Sequence, residues 1–186
     1  GTNVQLDATP AVSTIPIDTY ECQLDIGDGN GFTPLLGETN AILDITNNLS
    51  GNYKVIITDI SGVSGEDEVR ITFFEVPTAN QPNDIEFCDL DRDGFNPFDL
   101  VTDITPQILN GQSSSDFEVL YFTSLADATA NETGANIVVT YTNANAFTTE
   151  TIYARIHHRN NTDCANMISF TISVRDVPVL ENPTEY

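Results

Sequence analysis

Short runs of alternating polar and apolar residues dominate the first 77 positions of the chain. The run Tyr20–Asp25 alternates at the strand period, which places Tyr20, Cys22 and Leu24 on one face. Similar or β-branched runs, each bounded by turn residues, occur at 4–8, 41–45, 53–57 and 69–74. Because this segment shows no helical period, the pattern predicts an all-β fold, with a small Ig-like β-sandwich over residues 1–77.

The second half continues the strand pattern after a segment with a proline at each end. Pro77 and Pro82 bracket residues 78–81, and this composition is typical of a stiff linker. Strand-like runs follow at 117–122, 137–141, 151–156 and 167–174, and they predict a second Ig-like β-sandwich over residues 82–178. A short helix is expected within 98–109, and a helical turn within 124–130.

The two halves of the chain contain similar residues at a nearly constant offset. Tyr53 and Tyr153 each open a similar run at an offset of 100 residues, and Pro77 and Pro178 match at an offset of 101. This spacing predicts two similar units in tandem, with residues 179–186 as the beginning of a further repeat.

The charge limits the kinds of partner. The formal net charge is −22, from 28 acidic and 6 basic residues, and such a surface repels nucleic acid and anionic membranes while it attracts divalent cations. No apolar run is long enough for a membrane span, so no membrane insertion is expected. Three cysteines in a chain rich in Thr and Asn fit an exported protein.

The segment Cys88–Asp99 contains the strongest candidate for chemistry. Asp89, Asp91 and Asp93 alternate before Gly94, and this spacing in a tight loop turns three carboxylates toward one Ca²⁺. The carbonyl oxygen of Phe95 and the carboxylate of Asp99 complete the expected ligand set.

An acidic turn without a metal is the alternative for this segment, because Asp side chains often bond local backbone N–H groups. The loop also departs from a sensor hand, with Leu100 at its last position and Pro97 at a ligand position. A structural Ca²⁺ is therefore the preferred interpretation, since three neighbouring like charges repel one another without a counter-cation.

The cysteines suggest a disulfide within the second unit. Cys88 precedes the Asp-rich loop and Cys164 precedes the last predicted strand, so a Cys88–Cys164 bond would close most of that unit. Two buried free thiols are the alternative. Cys22 lies on the apolar face of its strand and is interpreted as a core residue, with a partner outside this sequence left open.

Two parts of the chain resemble known modules. Residues 24–29 and 51–55 are similar to the PKD and Ig-like modules of surface proteins, in which a tyrosine such as Tyr53 braces a strand corner. Residues 88–100, 121–128, 141–143, 151–156 and Cys164 resemble a recurring module of very large surface proteins that gliding bacteria export by type IX secretion. This resemblance covers residues 82–178. It implies a tandem-repeat surface adhesin or stalk whose Asp-rich loop is a Ca²⁺ site.

The sequence shows no pattern for catalysis. Nucleophile-elbow, zinc-helix and phosphate-loop motifs do not occur, and His157 and His158 are adjacent in a strand and cannot easily share a metal. We expect a non-enzymatic stalk segment at the cell surface, an extended monomeric rod that Ca²⁺ stiffens near the linker. Its expected partners are neighbouring repeats, and surface polysaccharide or another surface protein are further candidates. The alternatives are a carbohydrate- or protein-binding module and an accessory domain of a secreted hydrolase.

Overall fold

The computed structural model describes residues 4–11, 14–137 and 140–178. The chain divides into two compact units, residues 1–73 (unit 1) and 74–186 (unit 2). Within these described residues, strands account for most of the regular structure, as the sequence predicts, and three short helices lie in unit 2. Within the described ranges, no helix is long and apolar enough to cross a membrane.

The described residues of unit 1 form six strands in two antiparallel sheets. They are β1 (Val4–Asp7), β2 (Ile17–Asp25), β3 (Thr33–Pro34), β4 (Ile42–Ile45), β5 (Gly51–Asp59) and β6 (Ser64–Ile71). One sheet has the order β3-β2-β5-β6, and the other is the β1-β4 ladder. A hairpin joins β5 to β6, with its turn between Asp59 and Ser64.

The core of unit 1 lies between these sheets. Cys22, Leu24 and Tyr53 from the larger sheet pack with Leu43 and Ile45 from β4. The Tyr53 hydroxyl donates to the Leu49 carbonyl over 2.8 Å, so this tyrosine braces the corner before β5 as its motif implies.

In the described part of unit 2, six strands combine with three helices. They are β7 (Ile85–Asp89), β8 (Pro97–Phe98), α1 (Leu100–Asp103), α2 (Thr105–Leu109), β9 (Phe117–Phe122), α3 (Leu125–Ala130), β10 (Tyr141–Thr142), β11 (Thr149–His158) and β12 (Asn161–Asp176). The main sheet has the order β7-β12-β11-β9, and a two-residue ladder joins β8 to β10. β7 pairs in parallel with β12, and the other pairs in this sheet are antiparallel.

Helices form much of the layer over the main sheet, where the sequence predicts a second sheet. Leu100, Ile104 and Ile108 recur every four residues, which places them on one helical face, and all three are buried against strand residues such as Ile152 and Ile156. The expected helix within 98–109 is confirmed as α1 and α2. Unit 2 therefore differs from the predicted two-sheet sandwich.

A further helix occupies the segment where a helical turn is expected. α3 begins after Ser124, whose side chain accepts from the N–H groups of Ala126 and Asp127, and this N-cap explains where the helix starts. Ala128 of α3 is fully buried, and its carbonyl accepts from the Arg155 guanidinium of β11.

The prediction of a linker at 78–81 is wrong, because these residues pack on unit 2. The Thr78 N–H donates to the Gln112 side chain over 2.8 Å, and the Gln112 amide returns a bond of the same length to the Thr78 carbonyl. Asn80 donates to the Ile108 carbonyl, and Gln81 to that of Ser169. Pro77 is less than 2 % exposed.

The tyrosines that suggest a repeat have different surroundings. Tyr53 points into the core of unit 1, whereas Tyr153 lies between Ile152 and Ala154, whose side chains are fully buried in the core of unit 2. Since strand side chains alternate, Tyr153 points to the opposite face of its sheet. The expected strand at 137–141 is described only at Ile137, which bridges Tyr121, and at β10, while the further repeat at 179–186 lies outside the described residues.

Candidate metal centre

Three carboxylates meet in the loop between β7 and β8. One ligand oxygen from each of Asp89, Asp91 and Asp93 lies within 4.8 Å of the other two. Oxygens bound to one Ca²⁺ at 2.3–2.6 Å are separated by at most about 5 Å, so these three can share one ion. Hard carboxylate oxygens are also the ligands that Ca²⁺ prefers. The donor set therefore fits the predicted cation.

Backbone N–H groups hold two of these carboxylates. Asp89 is 2 % exposed, and its two oxygens accept from the N–H of Asp91 at 3.2 Å and of Gly94 at 2.7 Å. Asp93 accepts from the Phe95 N–H at 2.8 Å. The local turn bonding expected of an acidic turn is thus present, and it also aims the carboxylates.

Interactions within the loop shift the pKa values of Asp89 and Asp91 in opposite directions. The Gly94 N–H and the Asp91 side chain lower the pKa of Asp89. The Asp89 side chain and the charges of Asp93 and Asp89 raise the pKa of Asp91. The loop thus concentrates negative charge that a bound cation would offset.

Gly94 is required both for its backbone angle and for the space it leaves. Its φ is +84°, in the left-handed region that favours glycine, as the expected sharp turn demands. A Cβ at this position would lie 2.5 Å from the Cβ of Ala146. The sequence does not reveal this close approach of the loop at 143–147.

Asn143 is hydrogen-bonded to the backbone of the Asp-rich loop, and it is the main site residue that the sequence analysis does not identify. Only 3 % exposed, it accepts from the Asn96 N–H at 2.9 Å and donates to the Gly94 and Asn145 carbonyls at 2.8 Å. The resemblance includes Asn143 in its motif at 141–143, which is the signal that could have drawn attention to it.

Asp99 has a different role from the predicted one. It is the N-cap of α1, and its oxygens accept from the Thr102 N–H at 3.0 Å and from the Thr102 hydroxyl at 2.8 Å. Both bonds lower the pKa of the Asp99 carboxyl. The carboxylate lies outside the Asp89–Asp91–Asp93 group, which corrects its assignment as a metal ligand. The Phe95 carbonyl remains a predicted ligand.

The predicted Cys88–Cys164 bond is incompatible with the sheet. Cys88 pairs with Arg175 in the parallel ladder, and Cys164 lies eleven residues before Arg175 on the same strand. At about 3.3 Å per residue they are about 36 Å apart, whereas a disulfide needs Cα atoms within about 7 Å. None of the three cysteines is bonded to another of them: Cys88 is exposed, Cys164 half-buried and Cys22 buried.

His157 and His158 have different surroundings. His157 is 3 % exposed and has its Nε2 3.5 Å from a Glu118 oxygen. His158 accepts from the Asn160 N–H at its Nδ1, and its ring packs edge-on against Phe74 and Phe117. In the part of the chain that the structure describes, one group of three or more His, Cys, Asp or Glu residues has the spacing of a metal site. It consists of Asp89, Asp91 and Asp93.

Comparison with known protein families matches residues 84–178 to the Flavobacterium inter-domain disulphide bond domain. The match covers just over half of the 186 residues. The chain belongs to this family. The family region includes the Asp-rich loop, Asn143, Cys88 and Cys164, and it nearly coincides with the resemblance at 82–178. A comparison with curated proteins found no match.

Proposed function

We propose that this chain is a structural, non-enzymatic segment of an extracellular protein in which Asp89, Asp91 and Asp93 hold a Ca²⁺. The observation that carries the proposal is the placement of three ligand oxygens within 4.8 Å of one another. The bound ion would offset the repulsion among the carboxylates and fix the loop, with the Phe95 carbonyl as a further ligand. Sites of this kind in extracellular modules bind Ca²⁺ at roughly 10⁻⁴–10⁻³ M.

The ion would stiffen unit 2 where its last strand ends. Asp89 pairs with Asp176 at the last position of the β7–β12 ladder, and Arg92 of the loop reaches the Asp176 carboxylate at 3.8 Å. Phe74, the first residue of unit 2, lies against His158 at the other end of the main sheet. This arrangement favours an effect on the end of unit 2, and it argues against the expected lock on a linker before it.

We further propose that Cys88 and Cys164 form disulfides with other domains. The family name supports this role, and so do the exposure of Cys88 and the position of the two thiols near opposite ends of β12. Thiols so placed can each meet a different neighbour. Cys22 is an unsuitable partner because it is only 5 % exposed in its own core.

At a finer level, the chain is proposed to be a stalk segment of a cell-surface adhesin of gliding bacteria, monomeric and exported by type IX secretion, with unit 1 as its Ig-like or PKD-like module. It rests on the sequence resemblance, on the strand content of both units and on the acidic surface. Neighbouring repeats of the same chain are its proposed partners.

Hydrogen exchange with and without Ca²⁺ tests the metal role. We expect Ca²⁺ to slow exchange at 89–96 and at the end of β12, and the Asp91→Asn variant to lose this effect while Asp163→Asn, outside the loop, keeps it. Exchange that is unchanged by Ca²⁺ in the parent protein would refute the site.

Peptide mapping of the natural protein without reductant tests the disulfides separately. The proposal predicts linked peptides that join Cys88 or Cys164 to cysteines outside residues 84–178. A recovered Cys88–Cys164 peptide would refute it and would also contradict the sheet register.

A further inference from the structure

A cleft opens between the two sheets of unit 1. Its volume is about 550 Å³, and apolar residues of both sheets line it, among them Leu6, Cys22, Leu43, Val55 and Ile57. The β1–β4 ladder spans only four residue pairs, whereas β2 and β5 have nine residues each. The smaller sheet therefore leaves part of the apolar inner face of the larger sheet uncovered.

One side of the cleft is an unpaired strand edge. β6 is the last strand of its sheet, and its residues line the cleft together with residues of β1 and β4. Among the described residues, no strand pairs with the outer edge of β6 along Ser64–Ile71. An open edge beside an apolar cleft is the geometry that accepts an added strand.

The inner face of β6 specifies what such a strand would carry. Asp67 pairs with Val55 and Gly65 with Ile57, so by the strand period both lie on the cleft side, as Val69 does opposite the buried Tyr53. Gly65 leaves space above Ile57, since an added Cβ would meet only the Ile57 side chain, at 3.9 Å. Large apolar side chains thus fit beside Gly65 and Val69, and a cation fits beside Asp67.

The outer face of β6 adds further negative charge. Glu66 and Glu68 lie there and share Lys54, whose Nζ is 3.5 Å from Glu66 and 2.9 Å from Glu68. Lys54 also lies over the Phe32 ring, so it is held on that face. Among the described residues no basic side chain pairs with Asp67, which accepts from the Glu68 N–H. A second copy of the chain, with its net charge of −22, is a poor occupant.

We propose that this cleft binds an extended segment of a partner protein, which pairs with β6 and carries apolar and basic side chains. Two apolar residues four positions apart would fill the space beside Gly65 and Val69. The three residues between them would be basic, so that they face Glu66, Asp67 and Glu68. This site is independent of the metal and disulfide roles proposed for unit 2.

A short peptide can probe the site directly. Acetylated and amidated Thr-Val-Lys-Lys-Lys-Val-Thr reads the same in both directions, so it suits parallel and antiparallel addition. We expect saturable one-to-one binding by isothermal titration calorimetry in about 0.15 M salt, and slower hydrogen exchange of β6 amides. The control peptide Thr-Lys-Val-Lys-Val-Lys-Thr has the same composition, but its valines are only two positions apart. It therefore cannot place a valine beside both Gly65 and Val69 while lysines face the three acidic residues. We expect it to bind at least about tenfold more weakly.

Variants of the protein distinguish binding in the cleft from non-specific electrostatic binding of the peptide. Gly65→Val fills the cleft with a residue that suits a strand, and Asp67→Asn removes the inner charge; circular dichroism checks that both remain folded. Gly65→Val should weaken binding about tenfold and Asp67→Asn about threefold to fivefold. Glu132→Gln in unit 2 makes the same change in net charge as Asp67→Asn, and it should leave the affinity unchanged.

Three results would overturn the proposal. They are no saturable binding of the peptide, equal binding by the parent protein and Gly65→Val, and saturable binding of octylamine that blocks the peptide without protecting β6 amides. The first two would leave Asp67 as an inward charge that protects the edge from aggregation. The third would assign the cleft to small amphiphilic amines.

Discussion

Asp89 and Asp176 occupy the last paired positions of the parallel ladder between β7 and β12. The Asp-rich loop that begins at Asp89 is therefore fixed at the place where the last strand of unit 2 ends. Arg92 adds a positive charge to this cluster, with its Nε 3.8 Å from the Asp176 carboxylate. A cation held by this loop would therefore be close to the charges at the end of β12.

Removal of the Arg92 charge should strengthen Ca²⁺ binding. Arg92 is the basic residue of the loop, and its charge opposes a nearby cation. We expect Arg92→Gln to lower the Kd for Ca²⁺ about twofold to fivefold at low salt, with a smaller effect at high salt because the exposed charge is screened. Arg70→Gln, which makes the same charge change in unit 1, is the control and should not alter the Kd. An unchanged Kd for Arg92→Gln would place the ion elsewhere.

Asn143→Ala should destabilise unit 2 and weaken the metal site. The substitution removes one accepted and two donated hydrogen bonds of a buried side chain. Loss of such a buried group costs about 2–4 kcal/mol of the free energy of unfolding. NMR signals of β11 amides in a urea titration report the stability of unit 2 alone. The control Asn145→Ala changes an exposed side chain nearby and should remain within about 0.5 kcal/mol of the parent. Equal stabilities of the two variants would contradict the role of Asn143.

Gly94→Ala should cost more stability than Gly111→Ala. Both glycines have positive φ, +84° and +87°, so each substitution carries about 1–2 kcal/mol of backbone strain. Only at Gly94 does the new Cβ collide, at 2.5 Å from that of Ala146, and overpacking adds about 1–3 kcal/mol. The same urea titration measures both variants. Indistinguishable stabilities would show that the loops at Gly94 and Ala146 are not in contact.

Unit 2 should lose stability as the pH falls below 6.5, the ordinary pKa of histidine. Burial lowers the pKa of His157, and the charges of Arg155 and Arg159 act in the same direction, while Glu118 opposes them. The unfolded chain therefore binds a proton more readily than the folded chain. The His157 contribution is fully present above pH 6.5 and decreases at lower pH by at most about 1.4 kcal/mol per pH unit.

The His157→Gln variant isolates this effect. The difference between the unfolding free energies of parent and variant should be smaller at about pH 5.5 than at about pH 7.5. Other groups that titrate in this range affect both proteins alike. A difference that does not change with pH would refute a His157 kept neutral by burial.

The sequence predicts those features that depend on local pattern. Alternation places Cys22 and Leu24 correctly in the core, and β9 has the predicted bounds 117–122. The spacing of Asp89, Asp91 and Asp93 predicts a cluster because it acts within one loop. Such features need no knowledge of distant partners.

The sequence does not predict features that depend on contacts between residues far apart in the chain. The positions of Cys88 and Cys164 in the sequence are compatible with a disulfide bond, but the register of the parallel β7–β12 pair places the two residues far apart. Residues 78–81 have the composition of a linker, but their hydrogen-bond partners, such as Gln112 for Thr78, lie far along the chain. Asp99 shows that one residue can fit two local patterns, since it matches a metal-loop position and also caps α1.

Isothermal titration of the chelated protein with Ca²⁺ tests the central claim most directly. We predict one Ca²⁺ per chain with a Kd of roughly 10⁻³ M or tighter, complete loss of the binding heat in Asp91→Ala, and unchanged binding in Asp103→Ala, whose carboxylate lies outside the cluster. No binding heat in the parent protein, or the same heat in Asp91→Ala as in the parent, would contradict a calcium site at Asp89, Asp91 and Asp93.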